Sequence, residues 1–435
     1  MFYIVTMKMQ WYFSVILDFK KRSFNMKNIA LTALLFAVLI SPKANSQTSE
    51  FTITVDEPIN GSIDLDPVLP ADGKYAEGTV LTVTATADPG HAIDAIYYST
   101  PGPWGAMFYD TPRVSSIEVT VDGNKNVGAF FVEESLLDGF TLSPDIIYAK
   151  PGVKPLKYDI YSPEDAVDLP ILVIIHGGGW RSNDEDIMRG MARQFARGGN
   201  YVVASIDYRW LGTGDGDETP NTMTDLIEDV FGAIAHIREH AQEYGGDPSR
   251  LLLTGDSAGG HLSASAATMT DRVGDGGFGE TEGVYEYSPT YIPESKTVDD
   301  LRTDLTSSIK GVAPTYGVFA FEGDNMLQML GMTGADDAEV AAISPIHNIP
   351  NVSELSMPHY LIRGTQDPLI SDENVKAYME ALVEKGQRVE YVQVGGASHA
   401  FFDWKPNDST VQTFNKYGVY YIEEMEHFFD SVLSE

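Results

Sequence analysis

Two patterns of apolar residues divide the chain near residue 136. From about residue 50 to 133, short segments such as Phe51–Val55 and Val80–Thr86 alternate apolar and polar residues, which is typical of half-buried strands. Gly, Asp, Asn and Pro residues separate these segments, and none of them has a helical period. Residues 47–135 are therefore predicted to form a small antiparallel β module.

Between residues 136 and 435 the apolar segments are continuous, as expected for strands covered on both faces of a sheet. Helical patterns lie between them. This alternation predicts an α/β fold with a mostly parallel sheet flanked by helices. The predicted strands are Tyr158–Tyr161, Pro170–Ile175, Tyr201–Ile206, Leu251–Thr254, Ile309–Ala313, His359–Ile362 and Val389–Val394, and the predicted helices are Ile187–Arg197, Asp225–Tyr244, Gly260–Met269, Asn374–Glu384 and Tyr417–Leu433.

Residues 270–308 interrupt the alternation. The segment is rich in Gly, Asp and Tyr and has little periodicity. A loop of this length is usually functional or disordered. Two interpretations stay open: an insertion that folds over the cleft and shapes a substrate pocket, or a solvated insertion without a role in binding.

The first 46 residues have the features of an export signal. Met26–Asn28 is followed by the apolar run Ile29–Ile40 and by the small-residue segment Ala44–Ser46. The apolar run is too short to span a bilayer comfortably. We expect residues 1–46 to comprise a signal peptide with an upstream extension, cut before Gln47, and the mature protein to be periplasmic or extracellular in a bacterium.

Composition narrows the classes of function. The chain contains no cysteine, which excludes disulfides, thiol catalysis and thiolate metal sites. The formal net charge of −34 argues against nucleic acid or an anionic membrane as a partner. An apolar content of 43% is ample for a large core.

A glycine-flanked serine lies between a predicted strand and a predicted helix. The pattern Gly255-x-Ser257-x-Gly259 follows Leu251–Thr254 directly. Such a turn leaves no room for side chains at either glycine and holds the Ser257 hydroxyl at its apex, above the N-terminus of the helix. Backbone N–H groups and the helix dipole favour a developing oxyanion there. Ser257 is therefore the candidate nucleophile.

A second glycine-rich segment, His176–Trp180, follows the predicted strand Pro170–Ile175. Consecutive glycines let successive N–H groups face one point, and a side chain there would block a substrate carbonyl. With this HGGG motif, residues 155–430 resemble the α/β-hydrolase superfamily, in particular its hormone-sensitive-lipase-like and carbohydrate (feruloyl or acetyl) esterase branch.

The resemblance implies an oxyanion hole made by the N–H groups of Gly178, Gly179 and Ala258. It leaves open which two of the three glycines in the HGGG motif donate. His176 is interpreted as a structural hydrogen bonder, and Asp207-Tyr208-Arg209 as a structural brace.

Two further candidates follow predicted strands near the C-terminus. Asp367 comes after His359–Ile362, where a carboxylate can accept the imidazole N–H and fix the tautomer. His399 lies in a small-residue loop after Val389–Val394, the last predicted strand. The order Ser257, Asp367, His399 along the chain is that of α/β-hydrolases.

These features predict a secreted serine carboxylic-ester hydrolase that works through a Ser-His-Asp triad and an acyl-enzyme. No metal or organic cofactor is expected, because the sequence has no cluster of residues with metal-ligand spacing. The expected substrates are acyl esters of polysaccharides, such as feruloyl or acetyl esters, or small esters.

Three alternatives come from other classes. A prolyl-oligopeptidase-like serine peptidase shares the serine motif but would carry a propeller, for which the β module is too short. An aryl-formamidase-like amidase uses a similar glycine loop but is typically intracellular. A noncatalytic glycan-binding protein would have lost a triad residue, and all three candidates are present.

The β module resembles the divergent β-repeat modules of bacterial exported proteins through the segments Gly78–Gly90 and Val119–Phe131. One interpretation is glycan or surface contact through an aromatic stacking face. The other is that the same aromatic residues fill a small core. The residues concerned are Tyr97, Tyr98, Trp104, Phe108 and Tyr109.

Overall fold

The computed structural model describes residues 49–102, 105–279 and 281–435. The predicted signal segment with its extension, residues 1–46, lies outside the described residues, as do Trp104 and the side chain of Phe108. Residues Glu50–Glu435 form one compact unit. No helix in the described ranges is both long and apolar enough to cross a membrane.

The N-terminal region of this unit contains two sheets around one core. Their strand orders are β3-β1-β8-β5-β6 and β2-β4-β7. β4 alternates as predicted, with Leu81, Val83 and Ala85 buried and the residues between them partly exposed. The strands are β1 Glu50–Val55, β2 Gly61–Asp66, β3 Lys74–Ala76, β4 Val80–Ala87, β5 His91–Gly102, β6 Gly105–Pro112, β7 Ser116–Thr120 and β8 Lys125–Glu133.

One strand pair in the module differs from the antiparallel prediction. β1 pairs with β8 in the parallel direction, with Ile53 opposite Lys125. Parallel neighbours need a long connection, and most of the module lies between these two strands. The other pairings in both sheets of the described module are antiparallel.

The C-terminal region is built on a sheet of eight strands, counted over the described residues, in the order β18-β17-β16-β13-β11-β12-β10-β9. All its pairings are parallel except those of β10 with β9 and with β12. The bounds are β9 Phe140–Ala149, β10 Leu156–Pro163, β11 Leu169–Ile175, β12 Val202–Ile206, β13 Gly246–Asp256, β14 Gly277–Phe278, β15 Tyr285–Glu286, β16 Ile309–Thr315, β17 His359–Gly364 and β18 Val389–Val394, of which β14 and β15 form a separate hairpin.

Helices follow most of these strands, which together with the sheet gives the α/β-hydrolase architecture predicted from the sequence. Each predicted helix is present within a few residues of its expected bounds. The helices are α1 Arg189–Gly198, α2 Met223–His240, α3 Ala258–Thr268, α4 Val298–Ser308, α5 Asp324–Met329, α6 Asp337–Ile343, α7 Asp372–Glu384, α8 Asp408–Thr413 and α9 Val419–Leu433.

The central strands separate two apolar cores. In β11, Ile171, Val173 and Ile175 pack into the core on one side of the sheet. Leu172 and Ile174 pack into the core on the other side. A continuous apolar run is thus required here, because successive side chains enter opposite cores and each core must be apolar.

The insertion 270–308 is more ordered than its composition suggests. It contains the hairpin β14–β15 and ends in helix α4. Thr297 and Asp300 form a capping box at the start of this helix, and Leu301 and Leu305 bury one face of it. The capping pattern Thr-x-x-Asp was the available sequence signal for this helix.

A buried charge cluster joins the module to the α/β region. Asp94 of β5 accepts hydrogen bonds from Arg189 (Nη2–Oδ2, 2.8 Å) and Arg193 (Nη1–Oδ1, 2.6 Å) on α1. It also accepts one from the indole N–H of Trp404 (Nε1–Oδ2, 3.0 Å). Burial raises the pKa of Asp94, but the two guanidinium groups outweigh it and hold the pKa well below its usual range. The predicted domains, 47–135 and 136–435, therefore share a buried polar interface.

Candidate active site

The serine motif forms the tight turn expected of it. β13 ends directly before Ser257, and α3 begins directly after it. Ser257 has a φ of 51°, which is unusual for a residue with a side chain. A Cβ atom on Gly259 would lie 1.9 Å from the carbonyl oxygen of Ile175, and one on Gly255 would lie 2.5 Å from that of Gly259. Only glycine fits at either position.

The three predicted triad residues lie in hydrogen-bond contact. His399 Nε2 is 2.8 Å from Ser257 Oγ, and His399 Nδ1 is 2.8 Å from Asp367 Oδ2. They come from loops after β13, β17 and β18, at the carboxyl ends of the strands, where ligands bind in parallel sheets. The imidazole can therefore take a proton from the hydroxyl while the carboxylate fixes its tautomer.

Asp367 is held as a carboxylate by its neighbours. Burial raises its pKa, but hydrogen bonds from the His399 ring and from the N–H groups of Leu369 and Ile370 outweigh it and lower the pKa below its usual value. Those two N–H groups donate to Oδ1 at 2.8 and 3.0 Å, which leaves Oδ2 for His399. Arg363 braces the same loop by donating to the carbonyl oxygens of Asp367 and Ile370.

The glycine-rich loop has the backbone shape needed to present N–H groups. Gly178 has a φ of 121° and Gly179 a φ of 61°. A Cβ atom on Gly178 would lie 2.2 Å from the carbonyl oxygen of Ser182, whereas Gly179 faces open space. Among the described residues, neither N–H group donates to a protein acceptor. Ala258 is the first residue of α3, where N–H groups lack an intrahelical partner.

His176 has the contacts of a structural residue. Its Nδ1 lies 2.7 Å from the carbonyl oxygen of Gly177, its Nε2 lies 3.4 Å from Asp207 Oδ1, and its ring stacks on Tyr208. The Tyr208 hydroxyl donates to the carbonyl oxygen of His176 at 2.8 Å, and Arg209 pairs with the buried Asp229. These bonds tie the glycine loop to the segment after β12, which is a bracing arrangement.

Other buried histidines have partners of their own. His261 accepts a hydrogen bond from Trp180 Nε1 and lies 2.8 Å from the carbonyl oxygen of Ile343. His359 lies between the carbonyl oxygen of Met357 and the Tyr378 hydroxyl. Burial lowers the pKa of His261 and of His359 to about 4, so both stay neutral at pH 7.

Three residues in contact with the triad loops were absent from the sequence prediction. Tyr316 follows β16, and its ring centroid lies 4.8 Å from that of His399. Asp256 and Asp403 are buried beside the serine and histidine loops. The position of Tyr316 after a strand was a usable signal. The burial of the two aspartates could not be predicted, because a carboxyl group is ordinarily exposed and the sequence does not show which segments cover it.

The insertion contributes to a cavity next to the glycine loop. The cavity has a volume of about 500 Å³, and its lining includes Phe278 and Tyr285 of the insertion, Arg181, Leu211 and Met223. Arg181 lies two residues after Gly179 and donates to the carbonyl oxygens of Leu211 and Met329. Phe278 and Tyr285 of the 270–308 segment thus line this cavity.

One cluster of three acidic side chains has the spacing of a possible metal site. Oxygen atoms of Asp145, Asp159 and Glu185 lie within 4.8 Å of one another. The ammonium group of Lys157 contacts Asp145 Oδ1 and lies 2.7 Å from Glu185 Oε1, and Arg113 lies 3.1 Å from Asp159 Oδ2. Each of the three carboxylates is therefore already paired with a side-chain cation.

Fold and site together define an α/β-hydrolase in which a serine, a histidine and an aspartate are in hydrogen-bond contact. The chain belongs to the BD-FAE family, whose model matches residues 158–382. The predicted α/β-hydrolase relationship is confirmed by this match and by the fold.

Similar proteins are named as esterases. Carboxylesterase NlhH of Mycobacterium tuberculosis is 38% identical over 124 residues, which cover 28% of this chain and 37% of NlhH. Esterase LipQ of the same organism is 27% identical over 272 residues, or 59% of this chain and 56% of LipQ. The chain thus spans between about a third and just over half of the length of these relatives. Their named class is the one expected from the sequence.

Among solved structures, a truncated form of a carbohydrate esterase from gut microbiota has a TM-score of 0.52 with this chain. The two are 20% identical, and the likeness covers 68% of this chain and 98% of the other. It shows a shared fold.

Proposed function

We propose that this protein is a serine hydrolase of carboxylic esters that uses Ser257, His399 and Asp367. The observation that carries the proposal is the pair of 2.8 Å contacts that His399 makes with Ser257 and Asp367. A hydroxyl, an imidazole and a carboxylate in this order form the arrangement that activates a serine nucleophile. The esterase names of NlhH and LipQ support the same reaction class.

In the proposed mechanism, His399 takes the Ser257 proton as Oγ attacks the ester carbonyl carbon. The N–H groups of Gly178, Gly179 and Ala258 stabilise the oxyanion, and Asp367 stabilises the imidazolium. His399 then protonates the departing alcohol, and the acyl group stays on Ser257. Water, deprotonated by His399, releases the acid and restores the enzyme.

We propose acyl esters of polysaccharides, such as feruloyl or acetyl esters, as substrates, with small esters as soluble substitutes. The cavity lined by Phe278 and Tyr285 supports an acyl or sugar pocket beside the glycine loop. On the module, Tyr98 stacks on the partly exposed Tyr109, with Lys125 above the Tyr98 ring, which supports a small glycan-contact face. Tyr97 does not belong to this face, because it is buried and bonds Asp56.

Export is part of the same proposal, because a polysaccharide substrate lies outside the cell. It is supported by the apolar run Ile29–Ile40 and the small-residue segment Ala44–Ser46. N-terminal sequencing of the protein secreted by a bacterial host should begin at Gln47. A protein that retains residues 1–46 in the cell would contradict this part of the proposal.

The central test compares the intact protein with Ser257→Ala on p-nitrophenyl acetate and methyl ferulate, followed by acetylated xylan and feruloylated arabinan. We expect kcat to fall by about 10⁴- to 10⁶-fold, because the nucleophile is lost. Ser307→Ala, a change at an exposed position of helix α4, is the matched control and should keep full activity. Activity that survives in Ser257→Ala would contradict the assigned nucleophile, and cleavage of peptide or formamide substrates alone would favour the alternatives.

A further inference from the structure

Two buried carboxyl groups lie in contact beneath the site, and the mechanism above uses neither. Asp256 directly precedes Ser257, and Asp403 lies four residues after His399. Asp256 is 1% exposed and Asp403 is 8% exposed. Their side chains form a hydrogen bond with each other. Because a carboxylate only accepts hydrogen bonds, one of the two groups must carry a proton.

Asp256 also contacts the glycine-rich loop. Its Oδ1 accepts the N–H of Gly177 at 2.6 Å, directly before Gly178 and Gly179. A Cβ atom on Gly177 would lie 2.6 Å from Asp256 Oδ2, so the loop packs closely against the carboxyl group. One side chain thus touches the loop of the candidate oxyanion hole and, through Asp403, the loop of the candidate base.

We propose that one proton shared by Asp256 and Asp403 locks together the loops that carry Gly178, Ser257 and His399. The inference rests on the proposed esterase function and assigns these aspartates as positioning residues. Asp256 carries the proton and donates a hydrogen bond to Asp403, while the other carboxyl oxygen of Asp256 accepts the Gly177 N–H. The lock keeps His399 within reach of Ser257 and fixes the N–H groups that face the oxyanion.

The surroundings determine which aspartate is protonated. Burial raises the pKa of Asp403, but Lys405, whose Nζ lies 3.7 Å from Asp403 Oδ2, and His399 both favour its charged form, so the negative charge resides on Asp403 and the proton on Asp256. Tyr316 and Tyr208 face the pair from the segments after β16 and β12. Burial raises the pKa of both phenols, so they stay neutral and add no charge.

Burial, followed by the charge of Asp403, raises the pKa of Asp256 well above its usual value. The pair therefore keeps its proton to a higher pH than an isolated carboxyl group would, and loses it as the pH rises further. Two adjacent buried carboxylates then repel each other. The hydrogen bond between Asp256 and Asp403 is then lost, and the activity of the enzyme should fall on the alkaline side of the pH profile.

The test measures kcat and KM for p-nitrophenyl acetate between pH 6 and 10 in the full chain. In Asp256→Ala we expect kcat to fall about 100-fold with little change in KM, because misplaced catalytic groups slow the chemical step. In Asp256→Asn the amide keeps both hydrogen bonds without a titrating proton. We expect this variant to have a kcat within about fivefold of that of the unmodified protein. The pH at which its kcat declines on the alkaline side should rise by about one unit or more.

Asp271→Asn, an exposed change in the insertion, is the matched control and should leave the profile in place. Equal kcat values for Asp256→Ala and Asp256→Asn would overturn the inference. The inference would also be overturned if kcat declined at the same alkaline pH in the unmodified protein and in Asp256→Asn.

An infrared measurement separates this inference from the proposed function. The difference spectrum between the original protein and Asp256→Asn at pH 7 should contain the C=O band of one protonated carboxylic acid, and the same band should be lost in Asp403→Asn. Its absence would overturn the shared proton even in an active esterase. Its presence in a protein without esterase activity would refute only the proposed function.

Discussion

At the scale of single residues, the two carboxyl oxygen atoms of Asp367 have different hydrogen-bond partners and different roles. Oδ1 accepts two backbone N–H groups and fixes the loop, whereas Oδ2 accepts the ring N–H of His399. The sequence predicted the pairing with His399 from the position of Asp367 after a strand. It did not predict the backbone bonds, because they depend on the turn that follows.

Asp367→Asn should therefore separate catalysis from folding. The amide can keep the bonds to the backbone through its oxygen, but its NH₂ group would face His399 Nδ1 and favour the wrong tautomer. We expect kcat to fall by about 10⁴-fold, with an unchanged melting temperature by circular dichroism. A loss of less than tenfold would contradict the assigned role, and the exposed Asp271→Asn serves as the control.

At the scale of elements, the first turn of α3 is set by packing and not by helix propensity. It contains Gly259 and Gly260, which are poor helix formers. Cβ atoms there would lie 1.9 Å from the carbonyl oxygen of Ile175 and 2.6 Å from that of Thr315, so the helix approaches two strands closely. The glycine pattern predicted this turn, because only glycine permits such an approach.

Gly259→Ala tests this point, because propensity and packing predict opposite results. Propensity alone would stabilise the helix by about 1 kcal/mol. The contact with β11 should instead lower the free energy of unfolding by about 3 kcal/mol, measured by urea denaturation. Gly123→Ala, with open space around the added methyl group, is the control and should be nearly neutral. A stabilised Gly259→Ala protein would contradict the close approach.

Other elements were harder to predict. β9 was missed, because it is an edge strand that contains Pro144 and Asp145 and buries few side chains. α5, α6 and α8 are too short for a helical period to be visible in the sequence. The continuous strands such as β11 were predicted closely, because both faces of the sheet demand apolar side chains.

At the scale of the whole molecule, several partly or fully buried carboxyl groups have raised pKa values, in each case chiefly because of burial. The pKa is raised to about 6 for Asp159, Asp184 and Asp229 and to about 7 for Glu228 and Glu426. Their values in the unfolded chain lie near 4. Between pH 5 and 7 these five carboxyl groups thus bind more protons in the folded protein than in the unfolded chain. His236, His261 and His359, whose pKa values burial lowers to about 4, bind fewer, but they are outnumbered by the carboxyl groups.

Stability should therefore decrease as the pH rises through this window. A group with a raised pKa contributes stability below its unfolded pKa and loses it as the pH passes its folded pKa. We expect the melting temperature to be higher at pH 5 than at pH 8. Glu426→Gln should reduce the difference, whereas the exposed Glu282→Gln should not. A melting temperature that is constant or rises toward pH 8 would contradict the expectation.

The sequence by itself determined the α/β-hydrolase architecture and the candidates Ser257, Asp367 and His399. It could do so because apolar runs, glycine turns and positions after strands are local properties of the chain. Only the tertiary structure decided the contact of Asp256 with Asp403 and the bond from Trp404 to Asp94 of the module. These depend on burial and on approaches between segments up to 310 residues apart, which no local pattern encodes.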